Sequence, residues 1–194
     1  MGKGFTESER AIIKDKLRKA AEEALLKTGI RKTSVDELVL KAGISKGAFY
    51  LFYETKELLF FEVIVSFHDK LQADFMEILR ESNAFDIDYL TNTIFDLLKR
   101  DQDFFVSILS NGEIEFLQRK LSNDIMEQHF KDDEIFFDEI LSVLSIDRSH
   151  AKMFASSIRA IFVLMLNKKV IGEDYFDDTI KYLLRGMVLQ LIDS

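Results

Sequence analysis

The sequence predicts an all-α protein, and three observations carry that prediction. There is no proline among 194 residues, so the strongest helix breaker is absent. Apolar residues recur at steps of three and four along most of the chain. Thr6 with Glu9, and Ser34 with Glu37, form capping boxes in which each side chain satisfies a free backbone N–H at a helix start. Hydrophobic residues make up 47% of the chain, enough to bury a sizeable core.

The elements follow in order. Behind Thr6, residues Ile13, Leu17, Ala20 and Ala24 fall at helical spacing, and Gly29 supplies a stop. Ser34 opens a short helix with Val35, Leu38 and Val39 inward, closed by Gly43. Ser45 caps the next helix, expected to run to about Tyr53, and Thr55 caps the one after. That fourth helix is long, about Lys56 to Arg80, with Phe60, Ile64, Phe67, Leu71, Phe75 and Ile78 in one stripe. It contains no glycine, so it should join the two ends of the chain rigidly. Further helices are expected at Asp86–Arg100, Gln102–Ser110, Asn111–His129, Asp132–Leu144, Asp147–Lys169 and Glu173–Ile192, about nine in all. Asp147 reads as a cap, and the run Asp132-Asp133-Glu134 as a solvated helix start.

Charge divides the chain. The net charge is −8, yet residues 1–56 hold 12 Lys/Arg against 8 Asp/Glu, and the remainder 14 against 26. A basic head on an acidic body suggests a head that binds nucleic acid. The expected domains are a DNA-binding unit at 1–56 and a binding and dimerisation unit at 57–194. Without cysteine there is no disulfide, thiol nucleophile or thiolate metal site, and a reducing, cytoplasmic setting is compatible. The N-terminal residues show no signal-peptide run, and the longest apolar stretch, Ala160–Leu166, is too short to span a bilayer.

The stretch Thr33–Leu58 carries the functional signal: cap, short helix, glycine turn, small-residue helix, tyrosine, then a lysine at the next helix start. This is the layout of a helix-turn-helix, whose second helix enters the DNA major groove. Ser45, Lys46, Gly47 and Ala48 would form the first turn of that helix. Its free N–H groups and partial positive charge suit phosphate, and small residues permit close approach to the groove floor. Ala48 is suited to a thymine methyl, Lys46 to a base edge and Tyr50 to phosphate. Phe49 is read as the anchor to the core.

The series Thr33-Ser34-Val35, Ala42-Gly43-Ile44-Ser45-Lys46-Gly47-Ala48-Phe49-Tyr50, Phe52-Tyr53 and Lys56-Glu57-Leu58 resembles the DNA-binding signature of tetracycline-repressor-type (TetR family) regulators. The resemblance covers about residues 8–60. It implies phosphate contacts at Thr33, Ser34, Tyr50 and Lys56, and base or backbone contacts at Ser45, Lys46, Gly47, Ala48 and Leu51. Leu51 departs from the polar or basic residue common there, and Phe52-Tyr53 reverses the more frequent order. Both bear on which sequence is read.

For the body, the resemblance implies a homodimer through the last two long helices and an apolar effector pocket. Phe154, Ile158, Ile161 and Met165 line one of those helices, and Leu183, Leu184, Met187 and Leu191 the other. Helices apolar on more than one side are buried twice, against the chain and against a partner. Of 18 phenylalanines, Phe95, Phe104, Phe105, Phe116, Phe130, Phe136, Phe137 and Phe162 are candidates for an effector pocket, each balanced against a plain core role. Glu113 and Glu115 read as solvated surface, the alternative being a buried carboxylate for a cationic ligand. The three histidines, His68, His129 and His150, form no i, i+4 pair, and no phosphate-binding loop or nucleophile elbow is present. The expectation is therefore no enzyme, no cofactor and no metal. The partners expected are double-stranded operator DNA, a second copy and a small apolar effector, with no membrane. The alternative is a helical small-molecule-binding module that does not regulate DNA.

Overall fold

A computed structural model describes residues 5–82, 85–109, 112–165 and 167–192, with the side chains of residues 109, 130 and 148 outside that description. Among the described residues every regular element is helical: α1 (Glu7–Lys27), α2 (Val35–Ala42), α3 (Lys46–Phe49), α4 (Lys56–Glu81), α5 (Ile87–Arg100), α6 (Gln102–Leu109), α7 (Glu113–Lys120), α8 (Asn123–Val143), α9 (Ala151–Met165), α10 (Lys168–Ile171) and α11 (Phe176–Ile192), with a 3-10 turn at Arg148–His150.

Local chemistry sets the boundaries of the head. The Glu9 N–H donates to Thr6 Oγ1 at 3.3 Å while the Thr6 N–H donates to Glu9 Oε2 at 2.8 Å, and Ser34 with Glu37 repeats the arrangement at 3.2 and 2.8 Å. Gly43 closes α2 at φ +70°, in the left-handed region that favours glycine. Ser45 caps α3 by accepting the Ala48 N–H at 3.1 Å. The helix is shorter than expected. After Phe49 the chain tightens, with the Leu51 and Phe52 N–H groups donating to Ala48 O and Phe49 O, so the reader element is one helical turn followed by a turn through Phe52.

Three boundaries of the body differ from the sequence reading. The break expected near residues 130–131 falls at Leu121–Ser122, where Leu121 buries its side chain and the backbone becomes extended (φ −90°, ψ 156°). α8 then runs unbroken through Asp132-Asp133-Glu134, so that run is helix interior, with Gln128 Nε2 donating to Asp132 Oδ1 at 2.9 Å. The helix expected to reach Lys169 stops at Met165. Asn167 Nδ2 donates back to Val163 O at 2.8 Å, and α10 follows. Asp147 does cap, its Oδ1 accepting the Ser149 N–H at 2.7 Å.

Two apolar cores result. The first gathers Leu17, Ala21, Leu38 and Phe49 of the head with Leu59, Phe60 and Val63 of α4, and extends to Phe104 and Ile108 of α6 and Leu117 of α7. The second joins α5, α8, α9 and α11 around Phe75 and Leu79 of α4. Fully burying rings such as Phe49 and Phe60 contributes about 1.5–3 kcal/mol each. α4, 26 residues and so about 39 Å long, is common to both cores. The head's core therefore continues past residue 56 into α4 without interruption.

Candidate nucleic-acid interface and body cavity

At the outer end of the head, Ser34, Ser45, Lys46, Gly47, Tyr50 and Leu51 are exposed and Ala48 is half-buried. Phe49, wholly buried, pins α3 to the first core and leaves the residues around it outside that core. Tyr50 lies edge-on to Phe49, ring centroids 5.4 Å apart, with half its surface open. Lys46 Nζ pairs with Asp36 Oδ2 at 3.0 Å, and that hydrogen bond raises the lysine's pKa. Both partners are solvated, so the pair is weak and exchangeable for a phosphate.

Two expected phosphate contacts sit elsewhere. Thr33 is buried, its hydroxyl donating to Gly29 O at 2.7 Å and lying 2.9 Å from the Thr28 hydroxyl. Lys56 Nζ donates to Ile30 O at 2.7 Å and Thr33 O at 2.6 Å, with Arg31 O at 3.4 Å. Both residues tie the α1–α2 loop to the start of α4. Their side-chain donors are committed within the chain, with Thr33 buried and Lys56 half-buried. Arg10, which the sequence reading left aside, stacks over Phe52 at 4.8 Å and donates to Leu51 O at 3.2 Å, holding the turn behind α3. An arginine 41 residues away in sequence gives no local signal of this.

The head is clasped to the body on two sides. Lys14 and Arg18 of α1 both pair with Glu62 of α4. Burial raises the Glu62 carboxyl, but the hydrogen bonds from Arg18 and Lys14 outweigh it and hold the group below its usual range. On the other side Arg31 donates to Gly112 O at 3.1 Å and stands 3.9 Å from Glu113 Oε2. Glu113, expected to be solvated, is 3% exposed because it packs beneath Gly29, while Glu115 is exposed as expected.

Inside the body lies an apolar cavity of about 400 Å³. Ile64, Phe67, His68, Leu71, Gln72 and Phe75, one face of α4, form a wall of it. Of the candidate phenylalanines, Phe104, Phe105, Phe136, Phe137 and Phe162 line it; Phe67 stacks on Phe104 at 3.7 Å and Phe105 lies 4.4 Å from Phe162. Phe95 and Phe116 do not. Phe95 packs in the second core under Lys181, and Phe116 packs beside Arg31. The Phe130 side chain lies outside the described residues. His68, His129 and Asp133 also meet on the cavity wall, a grouping hidden in sequence because His68 is on α4 and the other two are on α8.

Of the residues expected at a subunit interface, Phe154, Ile161, Met165, Leu184 and Leu191 are buried in the second core, where they hold α9 and α11 to their own chain. They have little surface left for a partner. Ile158 and Met187 are half-buried, and Leu183 is 40% exposed. The outward apolar side chains of these helices are Met153, Val163, Tyr182, Leu183 and Ile192.

A solvent-facing helix-turn-helix, rigidly mounted on a helical body with an internal cavity, defines a DNA-binding regulator architecture. Comparison with known proteins agrees. Residues 17–63 match the model of bacterial regulatory proteins of the tetR family. The HTH-type transcriptional regulator YdgC of Bacillus subtilis is 29% identical over 119 residues, covering 58% of this chain and 61% of that protein. YuxN of the same organism is 25% identical over 131 residues, 63% of this chain and 43% of that one. The matched stretch thus spans less than two thirds of either relative. Among solved structures, a TetR transcriptional regulator from Rhodococcus sp. RHA1 superposes with a TM-score of 0.61 at 16% identity, covering 94% of this chain and 99% of that one. The regulator FadR from Bacillus subtilis, in complex with stearoyl-CoA, superposes with a TM-score of 0.58 at 17% identity, covering 92% and 97%. Residues 17–63 are thus similar to the DNA-binding part of tetR-type regulators, and the chain shares the fold of solved TetR regulators. No described helix is long and apolar enough to cross a membrane.

Proposed function

We propose that the protein is a homodimeric repressor that leaves a palindromic operator when a small apolar molecule enters its cavity. The observation that carries this reading is the double role of α4. Its first turns share a core with the head, and its later turns, Ile64 through Phe75, wall the cavity. A ligand that displaces that wall re-aims the head at the other end of the same rigid helix. In a dimer this alters the spacing of two reader elements, and affinity falls without any change in the DNA contacts.

In this reading Ser34, Ser45, Lys46, Gly47, Ala48, Tyr50 and Leu51 face the DNA, while Thr33 and Lys56 position them. The effector rests on Phe104, Phe105, Phe137 and Phe162. A fold neighbour that holds stearoyl-CoA makes a long acyl chain the first effector to try.

The test uses purified protein and a DNA fragment selected from random sequence. A palindromic site bound with steeply salt-dependent affinity is expected, with release by fatty acyl compounds or flat apolar molecules. Lys46→Ala and Tyr50→Ala should each weaken operator binding at least tenfold while the protein remains dimeric. Absence of any sequence-selective, salt-sensitive binding would overturn the reading.

A further inference from the structure

His68 projects from α4; His129 and Asp133, one turn apart, project from α8. One ligand atom from each lies within 4.8 Å of the other two. His68 Nδ1 stands 3.5 Å from Asp133 Oδ1, and the two imidazole rings are 5.4 Å apart. Donors bound at about 2.0–2.1 Å around a tetrahedral ion sit about 3.4 Å from one another. Side-chain rotations moving these atoms by about an ångström therefore close the triad.

Two further observations point to a cation. Asp133 Oδ1 is buried and accepts no hydrogen bond, although His68 lies beside it. A buried carboxylate oxygen without a donor is costly, and a metal ion satisfies it directly. The far nitrogen of His68 is also held, with Gln72 Nε2 3.3 Å from His68 Nε2. Turned over, that amide accepts from Nε2–H and leaves the Nδ1 lone pair facing the carboxylate, the outer-shell arrangement that orients a metal-binding histidine.

We propose that His68, His129 and Asp133 bind a divalent transition-metal ion of the Zn²⁺ type. Two imidazoles and one carboxylate suit such an ion better than Mg²⁺ or Ca²⁺, which take mainly oxygen. Three protein ligands leave a fourth position, and all three residues line the cavity, so a donor atom of a bound molecule completes the sphere. The ion also staples α4 to α8, restraining the helix that carries the head. The site stands on its own geometry and does not depend on the head reading an operator.

The test is a Co²⁺ titration of full-length protein stripped with a chelator. One equivalent should produce the intense visible absorption of a four-coordinate ion, bleached by Zn²⁺, and Zn²⁺ should raise Tm. His68→Gln and His129→Gln should abolish the spectrum, and the near-isosteric Asp133→Asn should weaken Co²⁺ binding at least tenfold, with helical circular dichroism unchanged. Glu134→Gln, an exposed neighbour, should behave as wild type. A wild-type spectrum no different from aqueous Co²⁺, or full binding by His129→Gln, would overturn the site. Metal binding by a protein that ignores DNA would refute the repressor reading and leave this one intact.

Discussion

Lys46 and Lys56 each open a helix of the head, and their surroundings assign them different work. Lys46 is solvated beside Asp36, free to exchange one anion for another. Lys56 is held by the carbonyls of Ile30 and Thr33. Counterion release separates the two roles. Replacing a phosphate-binding lysine lowers the slope of log affinity against log salt by about 0.9, whereas losing a positioning residue weakens binding with the slope unchanged. Lys46→Ala should flatten the slope, and Lys56→Met should not; measured slopes that reverse this order would return Lys56 to the DNA. Sequence suggested the phosphate role because a lysine at a helix start has no local partner. Its carbonyls come from a loop about two dozen residues earlier, folded back by tertiary packing. Gly43 is the opposite case. Its turn was legible because a left-handed φ is needed where α2 must stop, and a Cβ there meets nothing within 4 Å. Backbone strain alone then sets the cost: Gly43→Ala should lose about 1 kcal/mol, roughly 2–4 °C in Tm, and Gly43→Asn less. A loss several times larger would mean that neighbours, not φ, demand glycine.

At the scale of helices, those that begin with a side-chain cap were legible to within a residue, as at Thr6, Ser34, Ser45 and Thr55. α7, α8 and α10 begin without a side-chain cap hydrogen bond, and there the boundaries moved. The Leu121–Ser122 break is fixed by burial of Leu121 against the first core, which no local pattern announces. Joints between helices were equally silent. The α1–α4 joint rests on Glu62 with Lys14 and Arg18, and it should be sensitive to acid. Glu62 has a folded pKa below its ordinary 4.5, so its stabilising contribution is full above that value and is lost as pH falls through the folded pKa. Glu62→Gln should remove that part of the acid sensitivity while lowering stability at neutral pH. Unfolding midpoints of the two proteins should therefore converge as pH falls through the folded Glu62 pKa. Parallel curves would assign the acid response to other carboxylates.

For the molecule as a whole, the sequence marked α9 and α11 as doubly apolar but did not resolve their faces. Residues at helical spacing alternate between core and solvent within one turn. Leu184 is fully buried, whereas its neighbour Leu183 is 40% exposed, a difference set by how α11 rolls onto α5 and α9. If a second copy covers the outward side chains Met153, Val163, Tyr182, Leu183 and Ile192, a charge placed there should separate the subunits without unfolding them, since a desolvated unpaired charge costs several kcal/mol. Leu183→Glu should sediment as a helical monomer, and Leu184→Glu should unfold. The operator then supplies a second reading. A monomer presents one reader element, loses the gain from simultaneous engagement of two half-sites and should bind the palindrome about 10²–10⁴-fold more weakly, while a single half-site is bound as before. A Leu183→Glu protein that stays dimeric and keeps its operator affinity would move the interface off this face, and with it the geometry by which cavity and heads are coupled.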